Sequence, residues 1–360
     1  MAAVPAPDPG PDAGAVWHHG DPLGEQRAAA DGAVLIDRSH RSVLTLTGPD
    51  RKTWLHTISS QHVSELAEGV VTQNLSLDGQ GRVEDHWWQT ELADQTVLDT
   101  EGSRGEALLS FLRKMIFWAD VVVEPADLAV LTLLGPGVAD PAVLDALGVA
   151  AVPAESTAVA LPTGGFLRRI PATTLEVDVL VPSSQAAALR ERLLAAGVRP
   201  AGVWAYEAHR VAELRPRLGV DTDERTIPHE AGWIGEPGLG AVHLEKGCYR
   251  GQETVARVHN LGKPPRMLVL LHLDGASDRP APGDPLLAGG RTVGRLGTVV
   301  DHVDQGVIAL ALVKRGIPAD TALTTGGESA VTAAIDPDSL PPADAVGAGR
   351  LAVDRLRGAR

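Results

Sequence analysis

Two consecutive prolines, Pro264-Pro265, constrain the fold of this chain more than any other pair of residues. Neither offers a backbone N–H, and the second pushes the first out of the helical region, so neither a helix nor an interior strand runs through them. The sequence differs on the two sides. Upstream, helical and strand periods alternate. Downstream come only short apolar runs, Met267 to Leu273, Thr292 to Val300 and Val307 to Val313, separated by glycines and prolines. That pattern predicts an α+β protein whose last part is a small all-β sandwich or barrel.

The upstream part divides again. From about residue 33 to 123, Val43 to Thr47 reads as a strand closed by Gly48-Pro49, and Trp54, Leu55 and Ile58 recur at helical spacing. Ser103-Arg104-Gly105-Glu106 fits a capping box ahead of a helix whose buried stripe is Leu108, Leu112 and Met115. A second stretch opens with the apolar run Leu128 to Leu134. Leu175, Val177, Val179 and Val181 alternate with Glu176 and Asp178, which predicts a strand with one wet face. Ser183 opens a helix with Leu189, Leu193 and Ala196 inward, ended by Gly197, and Trp204, Ala208 and Val211 line another.

With 360 residues, about two or three domains with real cores are expected. The formal charge of −14 argues against nonspecific binding to nucleic acid, which needs clustered Lys and Arg. No apolar run reaches the length of about 18 residues that a membrane helix needs. Met1 to Gly14 is rich in Ala, Pro and Asp, with no basic or apolar leader segment, and reads as a loose tail. The expectation is a cytoplasmic protein with no membrane and no direct nucleic-acid partner.

Cys248 is the one cysteine, so a disulfide framework and a self-contained cluster or Cys-rich zinc site are excluded. It lies in Lys246-Gly247-Cys248-Tyr249-Arg250-Gly251-Gln252-Glu253. A thiol reacts as its thiolate, which a nearby ammonium favours, and two glycines allow a tight backbone path. The segment reads as a polar loop presenting one thiol; the alternative is a small buried hydrophobe in an ordinary turn.

Two further constellations stand out. Asp78-Gly79-Gln80-Gly81-Arg82 makes a turn before a strand whose period of two places Val83, Asp85 and Trp87 on one face. If that face is inward, Asp85 needs a partner or a ligand; if it lies at an edge, Asp85 stays wet. Arg210 and Glu213 sit three apart on a helix and fit an exposed pair. Ile227-Pro228-His229-Glu230 lacks the spacing of a helical metal motif.

Read in order, these segments resemble the YgfZ family, relatives of the T-protein (aminomethyltransferase) of the glycine cleavage system. The Lys-Gly-Cys-Tyr-x-Gly-Gln-Glu signature is met in full at Lys246 to Glu253. Asp37-Arg38-Ser39-His40, Gly81-Arg82-Val83-Glu84-Asp85, Gly219 with Asp221, Pro228 with Glu230 and Gly232, and Ala309 to Val313 extend the likeness over roughly residues 30 to 320. There are departures. Arg210-Val211-Ala212 stands where T-proteins have Arg-x-Glu, Asp99 where they have an asparagine, and their Arg-x-Gly-Tyr-Thr-Gly-Glu stretch is missing.

The resemblance implies a three-lobed α+β fold, with two intertwined α/β lobes around a central channel and a C-terminal small β-barrel. It implies a flexible tail over 1–29, a folate-binding region over 30–262 with lobes at about 30–125 and 126–262, a barrel over 263–335 and a flexible tail over 336–360. The implied cofactor is tetrahydrofolate or a one-carbon derivative. The implied role is support of iron–sulfur cluster assembly or repair, with iron–sulfur client or assembly proteins as partners. Alternatives are a folate-dependent aminomethyl or one-carbon transferase and a tRNA-modification accessory factor. Cys248 would be the reacting thiol and Lys246 its cationic neighbour. Asp85, Trp87 and Arg210 would contact the pterin, and Gly247, Tyr249, Gly251, Gln252 and Glu253 would shape the loop around it.

Overall fold

The structure, a computed structural model, describes residues 2–261, 263–275, 279–327 and 330–340. They form two compact units. Unit 1 takes residues up to 75, 85–208 and 235–243; unit 2 takes 76–84, 209–234 and those after 243. Unit 2 thus holds the barrel together with the thiol segment and residues 76–84 and 209–234. Among the described residues no helix is long and apolar enough to cross a membrane.

Where a tail was expected, the described residues carry regular structure from Val4 onward. A ribbon of β1 (Val4–Pro5) and β2 (Val16–His18) precedes α1 (Pro22–Asp31). Asp21 caps that helix by accepting from the Gly24 N–H at 2.9 Å. Ala6, Ala28 and Ala29 pack with Val34, Ile36 and Ala201, so apolar contact holds this stretch.

Unit 1 is two sheets face to face with helices outside each. The six-stranded sheet joins β3 (Val34–Asp37), β9 (Leu128–Leu134), β10 (Ala158–Ala160), β11 (Phe166–Ile170), β12 (Glu176–Pro182) and β13 (Arg199–Ala201). The five-stranded sheet joins β4 (Ser42–Thr47), β5 (Val71–Leu77), β6 (Val83–Glu91), β7 (Gln95–Thr100) and β8 (Val122–Pro125). Helices α4 (Pro141–Leu147) and α5 (Ser183–Ala195) cover the first through Val143, Leu147, Leu189 and Leu193. Helices α2 (Arg51–Ile58) and α3 (Gly105–Lys114) cover the second through Trp54, Leu55, Leu108 and Leu112. Val43, Val71 and Val97 meet Val130, Phe166 and Leu180 between the sheets.

That middle layer overturns the expected wet face of β12. Glu176 and Asp178 are 1% and 2% exposed, because the five-stranded sheet packs over them. The strand alternates as predicted, but both faces are inside. Asp178 belongs to a buried network of ion pairs. Asp178 takes Arg168 at 2.9 Å, Arg38 at 3.4 Å and the Thr132 hydroxyl at 2.6 Å. Arg168 also meets Asp99 at 2.6 Å, and Arg41 bridges Asp99 at 2.8 Å and Glu101 at 3.1 Å. In this network the guanidiniums of Arg38, Arg41 and Arg168 meet Asp99, Glu101 and Asp178. Both arginines hold the Asp99 carboxyl well below its usual range against the opposing cost of burial, at about 2.

His86 lies on the same side of β6 and shares a hydrogen bond of 2.8 Å with Gln73. Burial, and then the Arg41 charge, push it down to about 4 from 6.5. Between those values the unfolded chain binds the proton and the folded chain does not, so the stability this histidine confers is complete above pH 6.5 and is lost as the pH falls towards 4. Denaturant midpoints should therefore drop across pH 6.5 to 4.5, and His86→Gln should flatten that slope.

The expected capping box is absent. A 3-10 turn, Gly102–Arg104, leads into α3, whose N-cap Arg104 makes no side-chain cap bond. The remaining helices are α6 (Val203–Ala212) and α7 (Gln252–Leu261).

In unit 2 a closed barrel runs in the order β14 (Arg266–Leu273), β17 (Gly306–Lys314), β16 (Arg291–His302), β15 (Pro285–Ala288), β18 (Leu323–Thr325) and β19 (Thr332–Ile335). Alternate residues such as Val269, Leu271, Ala309, Ala311 and Val313 fill it. The tail expected after 336 starts with a 3-10 turn, Pro337–Ser339, and its residues beyond 340 lie outside those described.

Candidate functional site: the thiol loop and the aspartate strand

Two motifs far apart in sequence meet inside unit 2. Asp78 shapes the first turn, its Oδ1 accepting from the Gln80 and Arg82 N–H groups at 2.8 Å each. Gly81 follows at φ +77° and Gly251 at φ +82°, conformations that disfavour a side chain. The two glycines touch: a Cβ on Gly251 would sit 2.6 Å from the Asp78 carbonyl oxygen and 2.9 Å from the Gly81 Cα. An Arg250–Glu84 pair at 3.0 Å spans the same junction at the surface.

This contact fixes the thiol loop. Cys248 is exposed, while Lys246 and Tyr249 on either side are 4% and 9% exposed. The Gln252 amide donates to the Lys246 carbonyl at 3.1 Å, closing the loop onto the start of α7. Glu253 instead pairs with Arg257 one turn along α7, with its side chain mostly in water. Gly247 does not take a positive φ, and a Cβ there would meet nothing within 4 Å. Of the two loop glycines, only Gly251 is required by the backbone.

Lys246 departs from the role its charge suggested. Its ammonium lies 5.1 Å from the Tyr249 ring centroid, and burial alone lowers its pKa to about 7 from 10.5. At neutral pH much of it is therefore uncharged amine. Burial also raises the Tyr249 phenol to about 12, and its hydroxyl has no hydrogen-bond partner. Because the folded amine releases its proton before the unfolded one, stability should climb from pH 7 towards 10. Lys246→Met should raise the melting temperature at pH 7 and abolish that climb; an unchanged melting profile would show that the amine is not confined.

On β6, Val83, Asp85 and Trp87 share a face, as the period of two predicted, and that face is inward, which settles the alternative of a wet Asp85 at an edge. Asp85 is 4% exposed and finds a partner in Arg104, whose Nη2 and Nε donate to its Oδ1 at 2.6 and 3.1 Å. Arg104 is the residue that sequence reading missed. It looked like part of a helix cap, and only the 3-10 turn aims it at the strand. Trp87 is fully buried among Leu55, Leu98 and Leu108 under α2 and α3, so it offers no ring face to a pterin, although its indole N–H has no acceptor.

Arg210 is not an exposed partner for Glu213. It is 2% exposed in unit 2 and donates to Asp221 Oδ2 at 2.8 Å and to the Arg215 carbonyl at 3.0 Å. Asp221 also accepts from the Thr298 N–H at 2.7 Å. Within unit 2 the guanidinium thus ties the segment from residue 209 to the barrel. Arg266 does the same for Asp223 and Glu230, at 2.6 and 2.8 Å. Asp221 and Glu230, which belong to the family-like segment before the thiol, hold the fold.

For a pterin, the residues present fit in part. Asp85 and Arg104 set an acceptor beside donors, the complement of a pterin's amide edge, and Arg104 keeps a side-chain exposure of 36%. Among the described residues no group of three His, Cys, Asp or Glu is arranged to hold a metal ion.

Residues 17–234 match the family described as the GCVT N-terminal domain, and residues 266–341 match the CAF17 C-terminal beta-barrel domain. This chain belongs to the GCVT N-terminal domain family. It is 27% identical over 283 residues to the Arabidopsis thaliana protein named "Putative transferase At1g60990, chloroplastic", covering 74% of this chain and 61% of that one. It is 29% identical over 220 residues to an aminomethyltransferase of Chromobacterium violaceum, covering 60% and 61%. The chain thus spans about six-tenths of the length of these relatives. The crystal structure of aminomethyltransferase T from Bartonella henselae superposes with a TM-score of 0.79 at 20% identity, covering 93% of each chain. The fold is therefore the T-protein fold, completed by a CAF17-type barrel, and the YgfZ-like resemblance stands on both matched domains.

Proposed function

We propose that this protein binds tetrahydrofolate or a one-carbon derivative and supports the assembly or repair of iron–sulfur clusters in partner proteins through Cys248. The observation that carries the reading is an exposed thiol on a loop whose neighbours are buried and whose backbone is pinned by Gly251 against Gly81. A mobile surface cysteine would need no such support. Likeness to aminomethyltransferases supports the folate part.

Cys248 would serve as a single ligand or sulfur carrier, and the remaining ligands of any cluster would come from the partner or from small thiols. The confined Lys246 amine would take up or release a proton beside the loop near neutral pH. Asp85 and Arg104 would orient the pterin edge, and the folate when bound supplies a reduced ring or a one-carbon unit.

Cys248→Ala, returned to a deletion strain, should lower iron–sulfur enzyme activities to the level of the deletion while tetrahydrofolate affinity, measured by calorimetry, stays unchanged. Asp85→Ala should weaken that affinity by about tenfold or more. Wild-type iron–sulfur activities in the Cys248→Ala strain would remove the thiol role.

A further inference from the structure

The loop between α3 and β8 carries an apolar tip that the proposed function does not use. Phe117 and Trp118 are 71% and 97% exposed, their ring centroids are 6.1 Å apart, and Val122 beyond them is 50% exposed. Such aromatic exposure is unusual unless something covers it. The tip is rigidly presented. The Trp54 indole donates to the Met115 carbonyl at 3.0 Å at its entry, and the Asp120 N–H donates to Asp50 Oδ2 at 2.8 Å at its exit. Gly48, at φ +105°, lets the Asp120 carbonyl approach so closely that a Cβ there would lie 2.1 Å from it.

The neighbouring strand edge is closed to strand addition. Val123 turns its carbonyl away from β4, where Arg113 Nε caps it at 3.0 Å, and Pro125 has no N–H to offer. A partner must therefore engage side chains.

The charges around the tip say which partner. Arg113 and Lys114 are exposed just before it, and Asp120 and Glu124 just after it. A two-fold contact sets residue i against residue j and j against i. The cationic entry of one copy would then face the anionic exit of the other, with the two aromatic pairs between. An anionic lipid surface would be repelled by Asp120, by Glu124 and by the formal charge of −14. We propose that this tip is a weak homodimer interface, and that the second copy of this chain is its occupant.

Sedimentation equilibrium of the full chain tests this. At about 1 μM the mass should be that of the 37.6 kDa chain and at about 100 μM it should approach twice that value. Trp118→Ser should stay monomeric at both, and so exposed a residue can be changed without unfolding. Lys114→Glu alone and Asp120→Lys alone should each weaken dimerisation by about tenfold or more, and an equimolar mixture of the two should restore it. A wild-type monomer at about 100 μM, a dimer indifferent to Trp118→Ser, or a mixture that fails to recover would overturn the proposal. So would Trp118-dependent sedimentation with phosphatidylcholine/phosphatidylglycerol vesicles, which would assign the tip to a membrane.

Discussion

Asp99→Ala should destabilise the protein by about 3–5 kcal/mol, because it takes one of two carboxylate partners from each of two buried guanidiniums at once. Asp99 is 1% exposed, and its two oxygens serve Arg168 on β11 and Arg41 ahead of β4. Removing it leaves Arg41 with Glu101 alone and Arg168 with Asp178 alone, so each guanidinium is less well compensated at a buried site. The loss should appear as a lower urea midpoint with an unchanged m-value. Charge, rather than lost volume, would be the cause, and a double-mutant cycle separates the two. Arg168→Met alone should also be costly, yet Asp99→Ala combined with Arg168→Met should recover much of the loss, because the under-compensated charge at Arg168 has been removed. A loss below about 1 kcal/mol for Asp99→Ala would mean that solvent enters the space between the sheets.

Gly251→Ala should be the most damaging single-methyl change in the thiol loop. It forces an L side chain to φ +82° and drives its Cβ to 2.6 Å from the Asp78 carbonyl oxygen. The left-handed backbone alone costs about 1–2 kcal/mol, and the contact with backbone atoms adds to it since neither turn can swing a side chain aside. About 2–4 kcal/mol in total is expected, together with a changed rate of Cys248 alkylation as the loop separates from the turn at 78–82. Gly247→Ala is the control. It lies one residue before the cysteine, has open space around it, and should change stability by less than about 0.5 kcal/mol. Equal effects at the two glycines would show that the loop does not depend on the glycine-to-glycine contact.

Much of the architecture was legible because it is written in local periods. The strands at β4, β9, β14, β16 and β17, the helices α2, α5 and α6, and the break at Pro264-Pro265 follow from spacing and from glycine and proline chemistry. The same period of two put Asp85 on one face with Val83 and Trp87, and packing decided that this face is inward. The errors cluster where a neighbour distant in sequence decides the outcome. Glu176 and Asp178 look like a solvated face until a second sheet covers them. Arg210 looks like an exposed helix cation until Asp221 and the barrel close over it. Lys246 looks like a permanent charge until burial lowers its pKa to about 7. Arg104 carries no sequence signal for its partnership with Asp85, since a 3-10 turn sets its direction.

From its residues alone, this chain specified an α+β body, an all-β end and one signature thiol, because each rests on patterns within a dozen residues. Which charges are buried, which glycine must remain one and which aspartate has a guanidinium partner were settled only when the sheets and loops came together. Burial and electrostatic pairing depend on what packs against a residue, and that is a property of the folded whole.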